Sequence, residues 1–337
     1  MPRSRLKMKV ALAAIAAALI AAAPAPAPSY RMKASIAGPD GGWDLASVDP
    51  IAHRLYVART DGVMAVDLRT GKVTPAIVPS QRGHAALAIP GSREIVSTNG
   101  TSNTALLFDG LTGKVRATIS TGKKPDAAAY DPRTRTVWIM NPDSGSITVV
   151  DPQSAKVVAT VPVSGSLELG AVDGEGHLFV NVEDRNEVAV IDTRSRSLVT
   201  RFALPGCDGP TGIAYAPDAK LLVSACANGL AIVSARDGRT VATLAIGPRP
   251  DGALYDPRRH VALIPSGGDG TLAVIRLSGT PTVIDRIATA KGSRTAALDP
   301  STGRIYLPSA DFAPPVGQDR PKMIPRTFRV LVLEPTR

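Results

Sequence analysis

A seven-bladed β-propeller is the fold class this sequence predicts, on three observations. An Asp-Pro-like turn recurs about every 42 residues, and four strand-like segments lie between successive turns. Beyond the first 28 residues long helical patterns are missing, while 30 glycines and 29 prolines are spread along the chain. The expected fold is all-β: seven four-stranded antiparallel blades, the last closed by the N-terminal strand, in a single domain over residues 29–337.

Residues 1–28 read as a secretory signal peptide. Arg3, Arg5, Lys7 and Lys9 precede a small-apolar run from Val10 to Ala23, and that run of 14 residues is shorter than the roughly 18 a spanning helix needs. The Ala-x-Ala candidates end at Ala23 and Ala27, each followed by proline, which leaves the mature terminus open. No membrane span is expected, and the location is periplasmic or secreted. Four of the +10 formal charges belong to this segment, so the domain itself carries +6.

The repeat aligns on Asp49-Pro50, Ile89-Pro90, Asp131-Pro132, Asp173-Gly174, Ala216-Pro217, Asp256-Pro257 and Asp299-Pro300. Each turn follows a short small-apolar run and precedes a more strongly apolar one, as Ala127–Tyr130 precedes and Val137–Met140 follows in the third copy. These are the first two strands of a blade, A and B. Strand C ends near Asp67, Asp109, Asp151, Asp192 and Ser234, and turns such as Thr70-Gly71-Lys72 lead into strand D. The seventh copy stops at Arg337 without a fourth strand. Residues 31–36 align with the fourth strands of the other copies and are expected to fill that place, which removes an exposed sheet edge.

The seventh copy also has a B–C connection about 17 residues longer than its siblings, at about 311–327. It holds Pro314, Pro315, Pro321 and Pro325, and it offers Phe312, Arg320 and Met323 to a ligand or packs on the blade edge. The two cysteines, Cys207 and Cys226, fall at the same end of the first hairpin in copy five and are expected to form a disulfide.

The strand-B segments Tyr56-Val57-Ala58-Arg59, Val96-Ser97-Thr98-Asn99 and Ile139-Met140-Asn141 are degenerate copies of one motif. In them, and in its period, the chain over residues 30–337 resembles the YVTN-repeat, YncE-like family of bacterial propellers. The resemblance implies a seven-bladed propeller, often exported, and carries no chemistry of its own.

The register sorts residues by face. Six positions before each turn stand Asp44, His84, Asp126, Glu168, Thr211, Asp251 and Arg294, expected to ring the upper mouth of the central channel. Nine positions after it stand Arg59, Asn99, Asn141, Glu183, Cys226, Ser266 and Ser309, expected as a second, wider polar ring. Four carboxylates in the first ring suit a divalent cation or a cationic or hydroxyl-rich ligand. The competing reading is that these residues cap loop N–H groups or meet channel water, with His84 and Arg294 balancing the acids.

The lower face carries basic turns. The A–B turns hold His53, Arg54, Arg93, Arg133, Arg135, His177, Lys220, Arg258, Arg259, His260 and Arg304. The C–D turns add Arg69, Lys72, Lys114, Lys156, Arg194, Arg196, Arg236 and Arg239. Such a collar suits a polyanion, although few aromatics are available for base stacking. Cys-x-x-Cys-His, Gly-x-Ser-x-Gly, His-Glu-x-x-His and phosphate-loop motifs are all missing. The expectation is a monomeric binding or scaffold module for a small molecule, protein or polyanion, without a cofactor. The enzymatic alternative is a metal-assisted lactonase-like hydrolase built on Glu168, Asp251, Asn99 and Asn141.

Overall fold

The computed structural model describes residues 29–315 and 321–336. The expected signal segment and Arg320 lie outside the described residues. Seven separate four-stranded antiparallel sheets are arranged as blades, with strands in the order A, B, C, D from the channel outward. Blades 1 to 6 span residues 43–79, 83–120, 128–162, 167–203, 210–245 and 254–288. Blade 7 takes three strands from residues 297–335 and its outermost strand from Tyr30–Ala37, which pairs antiparallel with Arg329–Pro335. Ring closure by the N-terminal strand is as the repeat register requires.

The burial pattern explains why the middle strands read as continuous apolar runs instead of alternating. Each blade is covered on both faces by its neighbours, so Thr136–Asn141 in strand B is wholly buried, whereas Val115–Ser120 in strand D buries one residue. Seven apolar clusters fill the seven blade interfaces. At the interface of blades 3 and 4, for example, Trp138, Met140 and Val149 meet Leu178, Val180 and Ile191. Stability comes from this repeated face-to-face packing.

The turn aspartates have a physical reason. At the A–B turns, Asp49, Asp131, Asp173, Asp256 and Asp299 each accept hydrogen bonds from N–H groups two to four residues on, at 2.7–3.0 Å. Ile89 and Ala216 take that place in blades 2 and 5, buried like the aspartates but with no side-chain acceptor. Asp67, Asp109, Asp151 and Asp192 repeat the arrangement at the C–D turns. The Thr70 and Ser195 backbone N–H groups, foremost, hold Asp67 and Asp192 below the usual carboxylate range.

Short side chains on the two inner strands stitch the ring. The Ser47 hydroxyl donates to the Ala86 carbonyl at 2.6 Å, Thr98 to Asp126 at 2.7 Å, Thr211 to Pro250 at 2.9 Å and Thr295 to Asp44 at 3.0 Å. Each bond crosses from one blade to the next and fixes the height of the neighbouring inner strand.

Cys207 and Cys226 are bonded, with their Cα atoms 5.4 Å apart. A formed disulfide fits an oxidising compartment. Among the described residues no helix is long and apolar enough to cross a membrane. The bridge closes a loop of 19 residues, and chain entropy assigns about 3 kcal/mol to such a loop. The double variant Cys207→Ala/Cys226→Ala is therefore expected to melt roughly 5–8 °C lower. Calorimetry on oxidised and reduced wild type should show the same difference; an unchanged Tm in both would refute it.

Candidate functional site at the upper mouth

Each inner strand begins at the upper end of the channel, and the repeat places one polar residue there per blade. Immediately below, the channel is apolar: a cavity of about 120 Å³ is lined by Leu45, Leu87, Leu169, Leu254 and the alanines between them. The mouth is therefore a polar cup over an apolar floor, and electrostatic interactions in it are screened less than at an open surface.

Two ion pairs organise the cup. The Asp44 carboxylate lies 2.8 Å from His84 Nδ1, and the Arg294 Nε donates to Asp251 at 2.6 Å. Asp126 approaches His84 Nδ1 at 3.7 Å, and Arg294 reaches the second oxygen of Asp44 at the same distance. Thus His84 and Arg294 do balance carboxylates, as sequence reasoning allowed. Four carboxylates nevertheless have only two cationic groups within ion-pair distance among the described residues. Asp126 receives no side-chain hydrogen bond from the described residues, although its side chain is only 17% exposed.

The protonation equilibria respond accordingly. Burial first, then the charge of Asp44, pushes Asp126 up to about 7 against the opposing pull of His84 and Lys124. Burial and the charges of Asp126, Asp251, Glu183 and Asp44 push Glu168 up to about 9. Burial and Asp44 raise Asp251 to about 6 in spite of Arg294. For His84, burial opposes the charged ring, but the hydrogen bond to Asp44 and the charges of Asp126 and Asp44 outweigh it and raise its pKa.

The other expected positions are placed differently. Thr211 is buried, and its hydroxyl is engaged by the Pro250 carbonyl. In the second ring Arg59, Asn99, Asn141, Cys226, Ser266 and Ser309 are buried, and Glu183 is half-buried. Arg59 donates to the carbonyls of Pro39, Gly41 and Gly42 and lies 3.8 Å over the Phe328 ring. Burial pushes its pKa down to about 10. Asn99 accepts from Ser80 at 2.6 Å, and Asn141 donates to Ser146 and Thr148 within its own hairpin. Of the four residues of the hydrolase alternative, Glu168 and Asp251 interact electrostatically with each other, whereas Asn99 and Asn141 are buried and engaged by neighbouring Ser and Thr side chains.

In the long B–C connection of blade 7, Phe312 and Met323 form an antiparallel bridge, flanked by backbone hydrogen bonds from Ala313 to Lys322 and from Ile324 to Asp311. Phe312 packs 6.1 Å from Trp43, beside Asp44, and Met323 packs against the apolar cluster between blades 7 and 1. A Cβ on Gly292, two residues before Arg294, would come within 2.7 Å of the Phe312 ring. Phe312 thus forms part of the rim. Sequence reasoning missed the stitching hydroxyls of Ser47, Thr98 and Thr295, whose one signal is a polar residue inside an otherwise apolar inner strand. On the lower face, Arg93 pairs with Asp109, Arg236 with Asp173 and Arg259 with Asp256, so turn aspartates engage three of the basic collar's arginines.

No protein-family model and no curated protein matches this sequence. Among solved structures, one chain of the Kuenenia stuttgartiensis hydrazine synthase superposes with a TM-score of 0.69 at 17% identity, covering 79% of this chain and 92% of that one. A chain of a mitotic checkpoint complex superposes with a TM-score of 0.74 at 16% identity, covering 90% and 96%. The shared feature is the propeller. It suits a binding or scaffold module in general, and these neighbours lend no support to a lactonase.

Proposed function

We propose that this chain is an exported, monomeric binding propeller of the YVTN-repeat kind, and that its ligand presents positive charge to the upper mouth. The observation that carries the reading is the pairing count: among the described residues Asp44, Asp126 and Asp251 have only His84 and Arg294 as ion-pair partners and Glu168 has none, Lys124 being paired with Asp143. Two carboxylates are in excess, both held toward their protonated forms at neutral pH, and a cationic ligand releases that repulsion. The basic turns of the lower face are mostly exposed and solvated, whereas the carboxylates of the mouth are largely buried.

The test is a thermal-shift series at pH 7.5 with spermidine, arginine amide, Zn²⁺ and Mn²⁺, on wild type and on Asp126→Asn/Glu168→Gln. At 100-fold excess over Kd, a ligand stabilises the folded state by about 2.7 kcal/mol, a shift of several degrees. At least one cation should give such a shift in wild type and lose it in the double variant. A silent series, or shifts that survive the substitutions, would overturn the assignment of the mouth.

A further inference from the structure

We propose that Asp44, His84 and Asp126 form a site for a divalent first-row transition metal, of which Zn²⁺ and Mn²⁺ are the probes of choice. The inference rests on the reading of the mouth as a cation site and names the cation. One ligand atom from each residue lies within 4.8 Å of the other two. His84 Nδ1 stands 2.8 Å from the Asp44 carboxylate and 3.7 Å from that of Asp126. Ligand atoms bound ~2 Å from a common ion lie roughly 3–3.5 Å apart, so small side-chain adjustments bring all three into a first coordination sphere.

The scaffold is rigid where a metal site needs it to be. The three residues start three successive inner strands. The Thr98 hydroxyl ties blade 2 to the Asp126 carbonyl at 2.7 Å and accepts from the Ala85 N–H at 2.8 Å. Thr295 holds the Asp44 carbonyl from the other side at 3.0 Å. Arg294 sits 3.7 Å from the Asp44 oxygen that faces away from His84, so the oxygen facing the imidazole is the one left for a metal.

Chemistry narrows the class. Two carboxylates neutralise a dication, and a neutral imidazole adds one borderline nitrogen donor. That set favours Zn²⁺, Mn²⁺ or Fe²⁺ over Ca²⁺ and Mg²⁺, which prefer oxygen throughout. Within the trio, Asp126 receives no side-chain hydrogen bond from the described residues and has only His84, at 3.7 Å, as an ion-pair partner, and the buried Nε2 of His84 has no hydrogen-bond partner. The other close histidine–carboxylate pairs differ. His177–Asp173 is completed by Arg236, and His260–Asp218 by Tyr255. Three protein ligands leave positions open toward the cup for water or for a donor atom of a second ligand.

The experiment is equilibrium dialysis of the chelator-treated chain, lacking residues 1–28, against Zn²⁺ and Mn²⁺ at pH 7.5, with bound metal counted by elemental analysis. One metal per chain is expected, with affinity reduced at least ~10-fold in His84→Gln and in Asp126→Asn, and no competition from equimolar Ca²⁺. Nitrogen-15 NMR of the imidazoles gives an independent reading on wild type: of the four histidines, His84 alone should shift with Zn²⁺. Sub-stoichiometric binding, undiminished binding in both variants, or a shift at another histidine would each overturn the site. If spermidine binds in a manner sensitive to Asp126→Asn/Glu168→Gln while neither metal binds, the metal site falls and the cationic mouth stands. If nothing binds, both fall.

Discussion

Deleting residues 29–38 is expected to abolish the cooperative fold. These residues lie at an end of the domain, where trimming is ordinarily tolerated, but here they are the outer strand of blade 7. Tyr30–Ala37 pairs with Arg329–Pro335 along its length, interrupted by one bulge. Tyr30 is buried, and its hydroxyl donates to Asp256 of blade 6 at 2.7 Å, so the strand joins two blades. Arg31 and Lys33 converge on Glu334, and Arg59 clamps the connecting segment through the Pro39, Gly41 and Gly42 carbonyls. Without the strand, Arg329–Pro335 becomes an open edge that templates pairing between chains. The loss exceeds ~5 kcal/mol, comparable with the net stability of a typical domain. Size-exclusion chromatography and thermal melting of the deletion variant should show aggregation or a non-cooperative melt. A synthetic peptide of residues 29–38 added in trans should restore the transition. A monomeric variant melting within ~5 °C of wild type would refute the role given to this strand.

The closure was legible because it depends on counting: seven first strands and six fourth strands leave one vacancy, and 31–36 has the pattern to fill it. The turn aspartates were legible for a similar reason, since a side chain that caps its own turn acts over two to four residues. Arg59 shows where such reading stops. Its period and height in the blade match those of Asn99 and Asn141, yet its partners are carbonyls of the closing segment and the ring of Phe328, which lies 269 positions further along the chain. A repeat register assigns a residue to a face and a level. It does not say whether the side chain enters the channel or turns back into its own blade. For the same reason the register lists one first-ring residue per blade, while the pairing of Asp44 with His84 and of Arg294 with Asp251 depends on the approach of neighbouring blades.

Neutralising Asp126 and Glu168 together should stabilise the unliganded protein at pH 8 and leave it nearly unchanged at pH 4. In the unfolded chain these groups titrate near their ordinary values of 3.8 and 4.5, whereas in the folded cup they hold protons up to about 7 and about 9. Between those limits the folded state binds more protons than the unfolded one, so each rise in pH favours unfolding. The groups facing Asp126 are Asp44, His84, Asp251 and Lys124, and those facing Glu168 are Asp126, Asp251, Glu183 and Asp44. Every charged neighbour of Glu168 is a carboxylate, and those of Asp126 are divided evenly between carboxylates and basic groups, with burial the larger cause of its shift. Taken at face value the two shifts amount to roughly 9 kcal/mol at pH 8; partial solvation and shared neighbours reduce this to about 4 kcal/mol, or roughly 8 °C in Tm. The turn aspartates act in the opposite direction. Asp67 and Asp192, whose pKa values are lowered, contribute stability above their unfolded values that is lost as pH falls through the folded ones. Wild type should therefore be most stable in mildly acidic solution, and Asp126→Asn/Glu168→Gln should remove the decline on the alkaline side. Melting curves from pH 4 to 9 for both proteins decide the matter. If the mouth carboxylates merely capped loop N–H groups, the substitutions would destabilise at pH 8; a gain there means that these charges oppose the fold.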